Sequence, residues 1–339
     1  MIKIGITATS SVVPKLEFER GVGFLRSQGF EVEVHPIVLR HEFLYPASDE
    51  VRARALIEFS EREDLDAIWC ARGGYGATHL LPYLDRWKKS LGRKRPHKKT
   101  LLGFSDITAL LSWYGKNLDW PVIHSPMPSA RTFSVLRTSE WNAIRNALLS
   151  SMKLEKRKAY SYGLAPVFLP KGFRGVRAPV VGGNLAVWCS LLGTPSQGSA
   201  RGKILFLEEI GENFGRINRM LHQLEQAGGL KGCRAIVVGD FNDCKDSVPV
   251  GLKALPQGLE LGEFLRNPPK EALGLLRPAF ELDPALNRMF GHLGMRSGVA
   301  VFRGLPMGHG DSDLPLILGV PHELHRSGKF SLSLKKSRY

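Results

Sequence analysis

The sequence predicts an α/β protein: an N-terminal α/β domain on a mainly parallel sheet, followed by a second, smaller C-terminal α/β domain. Three observations carry that expectation. Over residues 1–135 short apolar runs alternate with segments of helical period, and the same alternation resumes near residue 178. Strands alternating with helices call for a parallel sheet covered on both faces. Finally, three apolar runs end at or shortly before Ser105, Glu208 and His309. In open α/β sheets ligands bind beyond the carboxyl ends of the strands, so three such endings can converge on one pocket.

Each element has its own signal. Residues 2–8 form an apolar run, and 16–28 carry a helical pattern that Gly29 ends as a C-cap. Residues 30–37 alternate with period two, as a strand does. Residues 49–63 read as a charged amphipathic helix with Ala53, Leu56, Ile57 and Phe59 on its core face. A strand over 66–71, a helix over 78–87, a strand over 101–104 and a helix over 106–115 follow. The expected boundaries are a first domain over 1–140, a mixed and basic linker over 141–177, and a second domain over 178–325. Within the second domain, 203–208, 235–239 and 299–302 read as strands and 216–226 as a helix, while 245–295 shows no clear period.

Bulk properties narrow the class. A chain of 339 residues, 43% hydrophobic and 23% charged, is long enough to bury two cores. No apolar stretch reaches the length of a membrane span, and the N-terminus lacks the pattern of a secretory signal, so a cytoplasmic protein without membrane attachment is expected. Cys70, Cys189, Cys233 and Cys244 have no CxxC spacing and read as free thiols; no Cys/His cluster has zinc-ligand spacing, so no metal is expected. The net charge of +15 is concentrated in 86–99, with further basic residues over 153–158 and at Lys335 and Lys336. The run 86–99 suits either a solvated helix-to-strand connection or a polyanion contact; with one aromatic residue, Trp87, it makes a poor stacking platform, and no obligatory nucleic-acid partner is expected.

Gly103-Phe104-Ser105-Asp106-Ile107-Thr108 joins a strand to a helix by a sharp turn. Such a turn lifts a hydroxyl clear of the sheet and aims helix amides at a developing oxyanion, although Ser105 is equally a good N-cap. Arg72-Gly73-Gly74-Tyr75-Gly76 also follows a strand, and its glycines let an amide approach closely. Glu208 competes with Glu209 and Glu212 as an orienting acid, and His309, flanked by Gly308 and Gly310, competes with His124 as a base.

Together with His124-Ser125-Pro126-Met127, Gly182-Gly183-Asn184-Leu185, Leu207-Glu208-Glu209 and Gly304-Leu305-Pro306-Met307-Gly308-His309-Gly310, these motifs occur in an order that resembles the LD-carboxypeptidase family from the first strand to about Gly319. That family comprises serine peptidases, among them muropeptide L,D-carboxypeptidases and microcin C immunity peptidases. The resemblance implies Ser105 as nucleophile, His309 as base and Glu208 as orienting acid. It further implies an oxyanion hole from the amides of Asp106 and Gly74 (or Gly73), with Arg72, Gly73 and Asn184 at the substrate. No cofactor is implied, and a homodimer is usual. The chain departs from the family at Thr7, in Asp311-Ser312-Asp313, and in a longer segment between Glu208 and His309. The resulting expectation is a carboxypeptidase that removes terminal D-alanine from murein tetrapeptides or muropeptides in cell-wall recycling. The alternatives are an immunity-type peptidase acting on a peptidyl-nucleotide or acylated toxin, and a non-catalytic protein that binds cell-wall fragments or nucleic acid.

Overall fold

The computed structural model describes residues 1–152, 160–244, 282–310, 312 and 314–333. The basic stretch 153–158, the residues Asp311 and Asp313, the Lys335-Lys336 tail and most of the 245–295 segment lie outside the described residues.

The first sheet begins with β1 (Lys3–Thr7), β2 (Glu31–Val34), β3 (Ala67–Cys70), β4 (Thr100–Gly103) and β5 (Val122–His124). Its order is β2-β1-β3-β4-β5, every neighbour parallel. The four residues of β3 and of β4 are all buried, which is why these runs lack a polar face. Crossing helices α1 (Lys15–Ser27), α2 (Asp49–Glu61), α3 (Leu81–Leu91) and α4 (Thr108–Leu118) cover the sheet. In α1 the buried positions Phe18, Val22 and Leu25 recur at helical spacing, and Gly29 follows at φ 83°. In α2 Ala53, Leu56 and Phe59 are buried and Ile57 packs against them.

The second sheet has at its centre β8 (Gly175–Asn184), β9 (Ile204–Ile210), β10 (Ala235–Asn242) and β11 (Val301–Arg303), all mutually parallel. One face carries α6 (Leu185–Ser190), α7 (Phe214–Gln226) and α8 (Leu282–Ser297). Helix α7 starts where Asn213 Oδ1 accepts the Arg216 amide at 2.8 Å and buries Phe214, Ile217, Leu221 and Leu224. Helix α8 falls at the end of the stretch read as having no clear period, although its buried Leu286, Phe290, Leu293 and Gly294 recur at helical spacing.

Two connections were not legible in the sequence. The stretch expected as a linker holds most of α5 (Thr138–Ser151), whose Trp141 and Ile144 pack into the core, together with β6 (Ser161–Gly163) and β7 (Ala165–Phe168). These two strands close opposite edges of the second sheet, beside β14 (Lys329–Leu332) and β11. From the other end of the chain, β12 (Leu316–Leu318) returns to the first sheet and pairs antiparallel with β5, after which β13 (Pro321–His325) pairs with β8. The two sheets share core as well as chain: one buried apolar cluster runs from Ile4 and Trp69 through Leu316 to Phe206 and Phe302. Shared packing of this kind holds groups from both sheets in fixed relation.

The basic run is not uniformly solvated. It leaves α3 and enters the amino end of β4, opposite the end that carries Ser105. Lys98 pairs with Asp119, but Lys99 is 1% exposed, its ammonium donating to the Ser60 carbonyl at 3.0 Å and the His97 carbonyl at 3.2 Å. Burial pushes the Lys99 pKa down to about 8. Arg93, Lys94 and Arg95 are exposed. Replacing these three with glutamine leaves the turnover number within about twofold, since physiological salt screens exposed charges beyond about 8 Å; steady-state kinetics of the triple variant checks this.

Candidate active site

The Ser105 turn is strained. Phe104 leaves β4 extended at φ −150°, and Ser105 follows at φ 60°, in the left-handed region that L residues avoid. No side-chain cap bond is made at the 3-10 turn Ser105–Ile107 or at the start of α4, so the serine is not serving as an N-cap. Its side chain is half-buried, in the sharp strand-to-helix geometry that presents a hydroxyl above a sheet.

Asp106 secures this turn. Its carboxylate Oδ2 accepts the Ser10 hydroxyl at 2.5 Å and the Ala77 amide at 2.8 Å, tying the turn to the loops after β1 and β3. Burial raises its pKa, against the lowering effect of those two hydrogen bonds. A second clamp is the fully buried Arg52, which donates to the carbonyls of Thr9 at 2.6 Å and Gly76 at 3.2 Å. The glycine turn is thereby pressed against the serine: a Cβ on Gly73 would sit 3.0 Å from Ser105 Cβ and 3.3 Å from its Oγ. Gly74, at φ 108°, could carry a Cβ only by colliding with Ser11 Oγ at 2.4 Å. The exposed Arg72 donates to the Val12 carbonyl, at the rim of the same loop.

The acid and the base come from the second sheet. Of the three competing carboxylates it is Glu208, fully buried at the end of β9, that bonds His309: its Oε2 accepts from Nδ1 at 2.7 Å. The turn residue Gly308 makes this possible, since a Cβ there would lie 2.9 Å from Glu208 Cβ. Burial acts to lower the His309 pKa. The Glu208 hydrogen bond and the charges of Glu208, Glu209 and Asp240 outweigh it, so the pKa is raised above the ordinary histidine value. No hydrogen bond joins Ser105 to His309; the two are linked by Phe104, whose ring centroid lies 4.6 Å from that of the imidazole.

Glu209 has a different task. Its Oε1 accepts the Asn184 side-chain amide at 2.8 Å and its own neighbour's amide, Ile210 N, at 2.9 Å, while Oε2 accepts Ala186 N at 2.8 Å. Asn184 is therefore occupied at both polar ends, because its Oδ1 also caps α6 by accepting Val187 N at 3.1 Å. The Asn184 backbone amide reaches across to Thr108 Oγ1 at 3.0 Å, locking β8 to the start of α4. Glu209→Ala is expected to cost about 3 kcal/mol of stability by stripping partners from a buried network, while turnover per folded molecule falls less than tenfold. Chemical denaturation and kinetics on the same preparation check both.

His124, the other candidate base, is 1% exposed, and neither ring nitrogen has a hydrogen-bond partner. Burial lowers its pKa to about 4, so it stands neutral behind Phe104, 5.5 Å between ring centroids. Sequence reasoning did not single out Asp240 or Phe104. Asp240 follows the apolar run of β10 as Glu208 follows that of β9, so the strand-ending rule applied to Glu208 also finds it. The four cysteines are free thiols, and burial pushes Cys70 and Cys189 up to about 12. Among the described residues no group of three His, Cys, Asp or Glu side chains could hold a metal ion, and no helix is long and apolar enough to cross a membrane.

A serine on a strained turn of one sheet, opposite a histidine–carboxylate pair from another, defines the class of serine hydrolases. The chain belongs to the LD-carboxypeptidase family of serine peptidases: the family's N-terminal domain matches residues 4–125 and its C-terminal domain residues 177–258. A probable murein peptide carboxypeptidase of Bacillus subtilis is 30% identical over 249 residues, 73% of each chain. The solved muramoyltetrapeptide carboxypeptidase of Oxalobacter formigenes is 26% identical, with a TM-score of 0.71 over 97% of each chain. The microcin C7 self-immunity protein MccF, known from Escherichia coli, shares the fold with a TM-score of 0.73 over 98% of this chain and 96% of that one, at 20% identity.

Proposed function

We propose that the protein is a serine L,D-carboxypeptidase that releases the terminal D-alanine of murein tetrapeptides. Ser105 is the nucleophile, His309 the general base, and Glu208 the acid that orients it. The observation that carries the reading is the 2.7 Å bond from His309 Nδ1 to the buried Glu208 carboxylate. With Nδ1 committed as a donor, Nε2 of the neutral ring is the basic nitrogen, free to take the serine proton.

Ser105 Oγ attacks the carbonyl of the L,D bond as its proton passes to His309 Nε2. The tetrahedral oxyanion is held by the amide of Asp106 and that of Gly74, with Gly73 as the alternative donor; a good donor of this kind contributes about 3–4 kcal/mol. His309 then protonates the leaving D-alanine amine, and water, deprotonated by the same imidazole, resolves the acyl-enzyme. Arg72 and Gly73 border the substrate, while Asn184 supports the site through α6 and Glu209. The family resemblance also supports a cytoplasmic homodimer active in cell-wall recycling, which sedimentation and fractionation test.

One observation favours the rival substrate, a peptidyl-nucleotide: Tyr75 is 55% exposed beside the glycine turn, with Tyr45 stacked behind it at 6.2 Å. All six tryptophans are buried, so none offers an exposed ring beside the glycine turn for a base to stack on. Incubation with L-Ala-γ-D-Glu-meso-diaminopimelate-D-Ala is expected to release one D-alanine per peptide. A folded enzyme that leaves this peptide intact and cleaves an aminoacyl sulfamoyl-adenosine overturns the assignment.

A further inference from the structure

A cavity of about 630 Å³ opens between the two sheets, away from the Ser105 turn. It lies toward the amino ends of the strands, where Val122 begins β5 and Lys203 precedes β9. Leu111, Trp120, Val122, Trp188 and Ile317 of β12 are among the residues that line it. Its charged groups do not balance. Lys98 and Asp119 pair with each other. Lys116 donates to two neutral carbonyls, those of Pro195 at 2.9 Å and Gln197 at 3.1 Å. Among the described residues the half-buried Lys203 ammonium has no hydrogen-bond or ion-pair partner, and burial followed by the Lys116 charge lowers its pKa. A smaller pocket of about 400 Å³ shares Lys116 and adds Arg201 and Lys231 to the same field.

The half-buried Lys203 ammonium, in a largely apolar cavity and facing the charge of the exposed Lys116 at its rim, carries an electrostatic cost that an anion would remove. The rest of the wall is aromatic and aliphatic, as in sites that take an apolar body and fix it by a few polar groups. We propose that this cavity binds an amphipathic anion, its head group between Lys116 and Lys203 and its apolar body against Trp120 and Trp188. The site is independent of the proposed peptidase reaction, and a carboxylate and a phosphate head group share the chemistry it recognises.

Titration of the full chain with decanoate and with decyl phosphate, followed by calorimetry and tryptophan fluorescence, tests the proposal. At least one should bind at one site per chain, at least tenfold more tightly than decanol or inorganic phosphate. K203M and K116M should each weaken it about tenfold, the loss expected for one charge-assisted contact. G115L should abolish it: a Cβ at Gly115 meets only Val122 Cγ2, at 3.6 Å, so the leucine projects into the cavity while favouring the helix. A melting temperature of ligand-free G115L at or above that of the wild type shows that its fold is intact. Binding of decanol as tight as that of the anions, or binding that survives both K203M and G115L, overturns the proposal, as does a failure of both anions to bind.

Discussion

Ser105→Ala should lower hydrolysis by about 10⁶-fold, leaving only the catalysis that the oxyanion amides and binding provide by themselves, as nucleophile removal does in a serine peptidase. Binding of the intact peptide should persist, because the Asp106 bonds to Ser10 and Ala77 and the Arg52 clamp do not involve the hydroxyl. Single-turnover assays and equilibrium binding on the purified variant decide the matter; wild-type turnover would assign the nucleophile elsewhere.

The same position makes a second, opposite claim about stability. A non-glycine residue at φ 60° costs about 1–2 kcal/mol, whereas glycine takes that conformation freely. Ser105→Gly should therefore be as inactive as the alanine variant yet more stable than the wild type by about 1 kcal/mol. The strain persists because β4, the Asp106 anchor and the α4 start over-determine the turn. Denaturant titration of both variants separates relief of strain from loss of the side chain: only glycine should gain.

How much of this was legible depended on whether the signal was local. The runs that became β1, β3, β4, β9 and β10 are continuous apolar segments, and those of β4 and β9 lead directly to Ser105 and Glu208. Gly29 marked the end of α1 because a left-handed C-cap has one favoured residue. Choosing Glu208 over Glu209 was beyond any spacing argument. Adjacent strand residues point to opposite faces, and which face meets His309 depends on β8 and α6, which claim Glu209 through Asn184 and Ala186. The strands β6, β7 and β12 escaped for a related reason: each is three or four residues long and gains its place only by pairing with a distant segment. Lys99 was misjudged as part of a solvated run because its burial depends on the carbonyl of Ser60, thirty-nine residues away.

Glu208→Gln should reduce turnover by about 10⁴-fold, the loss measured when an orienting carboxylate is replaced by its amide and the imidazole is left in the wrong tautomer. The pH profile distinguishes this from simple damage. His309 works only when neutral, so wild-type activity rises with pH through its pKa. That pKa is raised, so the acid limb lies above the ordinary value of about 6.5. Removing the Glu208 charge takes away the strongest effect that favours the imidazolium. Burial, the largest single influence and one that favours the neutral ring, then prevails, and the acid limb must move down. Asp240→Asn removes a weaker charge of the same sign and should move the limb in the same direction by less, with most of the turnover retained. If the acid limb of Glu208→Gln stayed where the wild type has it, while turnover collapsed, His309 would not be the titrating base, and the pairing of Glu208 with His309 would have to be read as structural.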